Sequence, residues 1–375
     1  MRILITGACG VTSRAIARSL RISRKFADLY LLGTDICENP YGLYEGLFDK
    51  IYRAPRVTEA GYRSWMAELC RAERLDAAIV VPELEVLYWS AAGFPIPVAL
   101  PPAKFCQIAV SKKRLYETLA AEGLVPQFRI RSREELMTET PGEPINFPCW
   151  IRDFSEGTSC GKGSLLADDP EKVRAWITLN SGIDHFMLSE YLPGRNFACH
   201  LLYDRGEIVK VASYERTEYF MARTVMSGIS GNISKGRLIN DERLVNAAVA
   251  AVASILRKTS ETMHGIIAVD FRESADTKPM ITEINLRHVA ATYSFAAAGF
   301  NLAEAQLLLT LDRLEELGPK EATYSERNMI LRDIDGAPIW LSDYKELAVG
   351  ESVTAHQTLG TTQERERRKR ATNNQ

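Results

Sequence analysis

The sequence predicts an α/β fold that passes into α+β structure, and three observations carry the expectation. Up to about Cys106, short apolar runs (Ile3-Leu4-Ile5, Tyr30-Leu31-Leu32, Ala77-Ala78-Ile79-Val80-Val81) alternate with helix-like stretches at 13–23 and 62–74, the pattern of βαβ units on a parallel sheet. From Phe186 the strand-like segments Phe186-Met187-Leu188 and 197–202 follow each other directly, with turn signals at Pro193-Gly194 and Asp204-Arg205-Gly206, as in a sheet joined by tight connections. The length of 375 residues, at roughly 150 per domain, asks for two to three cores rather than one.

A proline-rich passage, Phe94-Pro95-Ile96-Pro97 and then Pro101-Pro102, precedes Ser111, which opens an amphipathic helix with Leu115, Leu119 and Leu124 on its apolar side. The first domain boundary is placed there. After Gly123 and Pro126 come a helix-like stretch at 132–137 and a turn-rich one at 140–148, and strand-like Cys149-Trp150-Ile151-Arg152 then runs into small residues at 157–163. An alanine-rich helix at 242–257 precedes two further strand candidates, 265–271 and 280–285. The last segment, from about Glu315, carries a hairpin signal at Asp335-Gly336 and a tail, Glu364-Arg365-Glu366-Arg367-Arg368-Lys369-Arg370, read as a frayed, solvated end.

Composition excludes several function classes. Lys and Arg number 46 against 48 Asp and Glu, a net charge of −2, so the surface as a whole is no nucleic-acid footprint. The longest nearly apolar run, 247–256, falls short of the about 20 residues that span a bilayer. Met1 leads straight into a strand with no signal-peptide pattern, and a cytoplasmic protein without a membrane partner is expected. The seven cysteines are odd in number, widely spaced and without C-x-x-C, so they read as reduced thiols rather than disulfides or a zinc site.

Three motifs carry chemistry. Gly7-Ala8-Cys9-Gly10-Val11-Thr12-Ser13, with Asp35 ending the second strand, invites a dinucleotide reading: glycines admit a pyrophosphate at a helix start and the carboxylate holds a ribose. Its spacing is G-x-x-G-x-x-S, however, and any doubly wound domain needs a tight turn there, so the structural reading is preferred to NAD(P) binding. Arg152, at a strand end before the Gly/Ser/Thr loop with Lys162, offers charge and backbone N–H groups to phosphate oxygens, although the P-loop pattern is absent. Asp270 with Glu283-Ile284-Asn285-Leu286-Arg287 forms the third. On a strand Glu283 and Asn285 share a face, and a neighbouring carboxylate completes an oxygen set suited to Mg²⁺; a charged strand edge paired with Arg287 is the plain alternative.

The order of these features resembles the ATP-grasp superfamily, in particular the synthetase halves of carbamoyl-phosphate synthetase, from Met1 to about Thr310. Ser111-Lys112 and Gly123-Leu124-Val125-Pro126 are similar to the family's opening and closing of one helix. Phe147-Pro148-Cys149-Trp150-Ile151-Arg152 is similar to its phosphate-contacting strand, 157–163 to its glycine-rich lid, and Glu190-Tyr191-Leu192-Pro193-Gly194 to its adenine hinge. Val269-Asp270-Phe271 and Glu283-Ile284-Asn285-Leu286-Arg287 match its metal strands, with Gly299-Phe300-Asn301-Leu302 downstream.

The resemblance implies a Rossmann-like pre-ATP-grasp domain (1–108), a two-part ATP-grasp clamp (small lid subdomain 109–185, catalytic subdomain 186–314) and a C-terminal extension (315–375). It implies ATP with Mg²⁺, or Mn²⁺ in its place. Lys112, Arg152, Ser159, Gly161 and Lys162 would meet phosphates, and Glu190, Tyr191 and Leu192 adenine. Asp270, Glu283 and Asn285 would hold the metal, and Arg287 would face the transferred phosphoryl group, with Lys112 and Arg152 as its catalytic partners. Three positions depart from the family: Asn196 stands where many members have a ribose-binding Glu and, by the resemblance, would bind the cofactor's ribose through a weaker hydrogen bond or leave that contact to another residue, Ser111 replaces Asp, and Asp153 follows Arg152 in place of Pro.

The implied reaction is an ADP-forming ligation of a small-molecule carboxylate to an amine through an acyl-phosphate, by a protein that forms homodimers and takes no nucleic acid. Candidate substrate contacts are Glu83 and Glu85 at a strand's C-terminal end, Arg223, Ser227 and Gly228 in a loop, and His288. A solvated loop for Glu83 and Glu85, and a packed His288, are the plain alternatives. Cys160 reads as a small filler in the lid. An NAD(P)-dependent oxidoreductase, which leaves Glu283-Ile284-Asn285 without a task, and a non-catalytic ATP-binding accessory protein on the same fold are the competing functions.

Overall fold

The apolar runs at the start of the chain become strands buried on both faces, which is why they read as continuous rather than alternating. The structure, a computed structural model, describes residues 1–26, 28–138, 146–154, 164–224, 228, 231–333 and 346–354. The lid at 157–163, the hairpin signal at Asp335-Gly336 and the charged tail lie outside the described residues.

The described chain divides into two units. The first comprises Met1–Leu100, Arg287–Gly318 and residues 346–354. In it β1 (Arg2–Thr6), β2 (Tyr30–Asp35), β3 (Lys50–Arg53) and β4 (Ala77–Ile79) make a parallel sheet ordered β3-β2-β1-β4, and a late strand, Ser352–Thr354, pairs antiparallel with β3. Helices Val11–Arg21 and Tyr62–Ala72 are the crossovers. Gly33 is required in β2 because a Cβ there would come within 2.6 Å of the Ala8 Cβ. The chain returns to this unit at Arg287, and Ala303, Leu307 and Leu308 of the helix Leu302–Thr310 join Ile3, Ile5 and Ile79 in one core. Burial of those leucines explains why a segment read as the end of the clamp belongs with the first hundred residues.

The second unit, Pro101–Leu286 with Pro319–Ile334, holds two sheets. The smaller contains β5 (Phe128–Ser132), β6 (Cys149–Asp153), β7 (Leu165–Ala167) and β8 (His185–Glu190) in the order β5-β8-β6-β7, all antiparallel. Along β6, Cys149 and Ile151 enter a core with Val173, Ile177, Phe186 and Leu188, which turns Trp150 and Arg152 to the opposite face. The larger contains β9 (Asn196–Asp204), β10 (Glu207–Tyr219), β11 (Ile233–Ile239), β12 (Gly265–Glu273), β13 (Pro279–Asn285) and β14 (Ile330–Leu331), ordered β13-β12-β9-β10-β11-β14. Arg205 and Gly206, both with positive φ, turn β9 into β10 at the predicted place. The predicted alanine-rich helix spans Glu242–Thr259; the Asp241 carboxylate caps it by accepting from Arg243 N at 3.0 Å, and its apolar stripe Leu244, Ala248, Ala251, Val252 and Ile255 is buried.

Candidate functional site

Strand register assembles the site on one face of the larger sheet. Asp270 on β12 lies opposite Glu283 on β13, and Ala268 opposite Asn285, so three oxygen-bearing side chains share a face within two rungs. Two rungs along on the same face, Asn196 on β9 pairs with both Arg216 on β10 and Arg272 on β12. The smaller sheet presents Trp150, Arg152, Leu166 and Ser189, and the two sets of side chains line a cavity of about 270 Å³, joined by the hinge residues Glu190, Tyr191 and Leu192. Three arginines (Arg152, Arg216, Arg272) and three carboxylates (Glu190, Asp270, Glu283) line it, so its local charge is balanced but strongly patterned.

Arg216, on which no sequence motif falls, is the hub. Its Nη2 donates to Asp270 Oδ1 at 2.6 Å, its Nη1 to Asn196 Oδ1 at 2.9 Å and to the Phe197 carbonyl at 3.2 Å, and its Nε to the Tyr214 hydroxyl at 3.0 Å. Burial works against its charge, yet Asp270 beside it holds the guanidinium well above its usual range. On the other wall Arg152 Nη2 donates to the buried Tyr116 hydroxyl, and its guanidinium lies 5.2 Å from the Tyr116 ring centroid. Arg152 Nε is buried with no hydrogen-bond partner among the described residues, a donor without an acceptor. Burial raises the Tyr116 phenol, which stays protonated. At the hinge Arg272 Nε donates to the Leu192 carbonyl at 2.7 Å, which fixes the backbone there.

Arg152, Glu190, Tyr191, Leu192, Asn196, Asp270 and Glu283 are therefore brought together around one cavity, with Asn285 on the same face. Lys112 begins the helix Lys112–Leu119, whose cap is Ser111, and is not among the described residues lining the cavity. Arg287 follows β13 by two residues and donates to the His288 carbonyl at 2.9 Å. Arg223 is exposed and Gly228 has φ +67°, while Ser227, Ser159, Gly161 and Lys162 lie outside the described residues.

In the first unit Glu83 is half-buried and Glu85 is buried in the first turn of the helix Glu83–Ala92, its Oε2 without a hydrogen-bond partner among the described residues and its carboxyl pushed up to about 7 by burial. His288 is buried too, its ring nitrogens taken by Gln306 at 2.8 Å and Thr292 at 3.3 Å; burial brings it down to about 4. The Asp35 carboxylate accepts from Cys9 N and Cys37 N, both at 2.9 Å, so the loop backbone occupies the oxygens a ribose would use.

The Asp270, Glu283 and Asn285 oxygens fit a hard divalent cation that keeps waters and shares phosphate oxygens, with one Asp270 oxygen committed to Arg216. Among the described residues no group of three His, Cys, Asp or Glu forms a metal cluster, so an amide oxygen is needed to complete the set.

Comparison with known proteins bears on the fold. No protein-family profile matches the chain. A stretch of 145 residues is 29% identical to a formate-dependent phosphoribosylglycinamide formyltransferase of Thermococcus kodakarensis, covering 34% of this chain and 32% of that protein. The match thus spans about a third of the relative's length. Among solved structures, N5-carboxyaminoimidazole synthetase from Staphylococcus aureus complexed with ADP is 15% identical with a TM-score of 0.60, covering 88% of this chain and 79% of the other. L-amino acid ligase from Bacillus licheniformis is 12% identical with a TM-score of 0.56, covering 85% and 75%. The fold is that of the ATP-grasp ligases. No helix among the described residues is long and apolar enough to cross a membrane.

Proposed function

We propose that the protein is an ATP-dependent, ADP-forming ligase that activates a small-molecule carboxylate as an acyl-phosphate and joins it to an amine. The observation that carries the reading is the cavity of the second unit, where the unmatched Arg152 N–H lies in the same lining as the Asp270 and Glu283 carboxylates. A buried donor without an acceptor and a row of hard oxygen ligands are what a metal-complexed polyphosphate would satisfy. The ADP in one similar structure and the ligase and synthetase names of its neighbours support the same class.

In the reaction a carboxylate oxygen attacks the γ-phosphorus, the bond to the bridging oxygen breaks and ADP leaves. The amine then attacks the acyl carbon, loses a proton, and phosphate departs. Anions are brought together in the first step, so positive charge is the main requirement. Arg152, oriented by Tyr116, supplies it at the phosphates. Asp270, Glu283 and Asn285 would hold Mg²⁺, which neutralises phosphate charge when bound. Leu192, with Trp150 and Leu166, gives the base an apolar slot, and the hinge backbone reads its edge.

The test is release of ADP and phosphate from Mg·ATP when pooled carboxylates and amines are added. Turnover that needs both pools is expected; thermal stabilisation by NAD(P)H but not by Mg·ATP would sink the reading.

A further inference from the structure

We propose that Arg216, acting through Asn196, makes the sugar position of this cavity a donor site, so that nucleotides lacking a ribose hydroxyl are accepted nearly as well as ATP. The inference rests on the nucleotide reading above and goes beyond it in naming what decides sugar selectivity.

A nucleotide with its base at Leu192 and its phosphates at Asp270 and Glu283 has to lay its sugar between them. Asn196 stands there: it is the first residue of β9, four positions past Leu192, and its neighbour on the same face, Ala198, pairs with Asp270. The orientation of the Asn196 amide is decided by its partner. A guanidinium has only donors, so the atom 2.9 Å from Arg216 Nη1 must be the carbonyl oxygen; flipping the amide would set N–H against N–H. Arg216 cannot readily swing away. Asp270, the Phe197 carbonyl and Tyr214 hold its other donors, and its side chain is only 9% exposed. The amide's free end is therefore its NH₂ group, for which the structure shows no hydrogen bond to the described residues.

That end donates to a hydroxyl oxygen. A carboxylate in its place would accept from hydroxyl hydrogens through charge-assisted bonds, each corresponding to roughly 10- to 150-fold in affinity, against roughly 2- to 10-fold for a neutral bond. Glu190 is the other carboxylate near the base end; its side chain is exposed, where water competes for the same hydroxyl.

The experiment compares ATP, 2′-deoxy-ATP and 3′-deoxy-ATP, each with Mg²⁺, by calorimetric titration of the full chain. Both deoxynucleotides are expected to bind within about 10-fold of ATP. In Asn196→Asp one carboxylate oxygen stays on Arg216 and the other becomes an acceptor, so the preference for ATP over at least one deoxynucleotide should widen by roughly 10-fold, a ratio that a general loss of packing does not move. Wild-type discrimination above about 20-fold overturns the inference while leaving the nucleotide reading intact, and its loss in Glu190→Gln would assign the hydroxyl to Glu190. If no adenine nucleotide binds, the nucleotide reading falls and this inference falls with it.

Discussion

The two units each place carboxylates and glycines where a nucleotide site is expected, and they use them in opposite ways. In the first, Asp35 is closed on Cys9 and Cys37 and His288 is buried between Gln306 and Thr292, while Glu85, buried with one oxygen unpaired among the described residues, is raised by that burial so that it keeps its proton to about pH 7. Polar groups there hold the fold together. In the second, strand pairing sets Asp270, Glu283 and Asn196 on one face, and Arg152 Nε in the cavity has no acceptor among the described residues. A ligand site is recognised less by which charged residues are present than by whether the protein has already satisfied them.

The widest separation between the units is expected from carboxylate substitutions. Glu283→Gln should lower ATP-dependent ADP formation by on the order of 10²–10³-fold, since one hard ligand of the proposed cation site is lost. Asp35→Asn should leave Mg·ATP affinity within about 2-fold; steady-state kinetics and titration give the two numbers, and a comparable loss of affinity in Asp35→Asn would break the contrast.

Next comes pH. The Glu85 carboxyl is raised to about 7 in the folded chain from 4.5, so the native state holds a proton that the unfolded chain has released. This contribution is complete below pH 4.5 and is lost as pH rises through 7, by at most about 3 kcal/mol. Glu85→Gln should flatten that slope in urea melts between pH 5 and 8, and an unchanged slope would show that Glu85 is not its source. His288 has the opposite sign: its value of about 4 lies below the ordinary 6.5, so its contribution is lost as pH falls from 6.5 towards 4. The smallest effect belongs to Tyr116→Phe. Losing the hydroxyl that orients Arg152 should weaken Mg·ATP binding by about 3- to 10-fold, with folding retained because the ring still packs against Phe128. Unchanged affinity would show that Arg152 needs no orienting partner.

Much of the second unit was legible because its signals are local. Glu283 and Asn285 could be placed on one face from the period of a strand alone, and Gly206 marked the turn from β9 into β10. Arg216, Tyr116 and Arg272 were not legible. Each sits in an ordinary alternating strand or helix, and each matters through a partner at least 36 residues away: Asp270, Arg152 and Leu192 respectively. Glu85 was legible as a carboxylate at the end of a strand but not as a buried one, since burial arises only when segments distant in the chain pack together.

By itself, then, the sequence determined the element types, the βαβ start, the order of the motifs and the chemical kinds of side chain at the site. The tertiary structure alone decided which charges are spent on one another. Register across β10, β9 and β12 commits one oxygen each of Asn196 and Asp270 to Arg216, and a core of leucines returns 287–318 to the first unit. The physical reason is that a residue's identity fixes what it can donate or accept, whereas desolvation and pairing, which set what it still offers a ligand, arise only between segments distant in the chain.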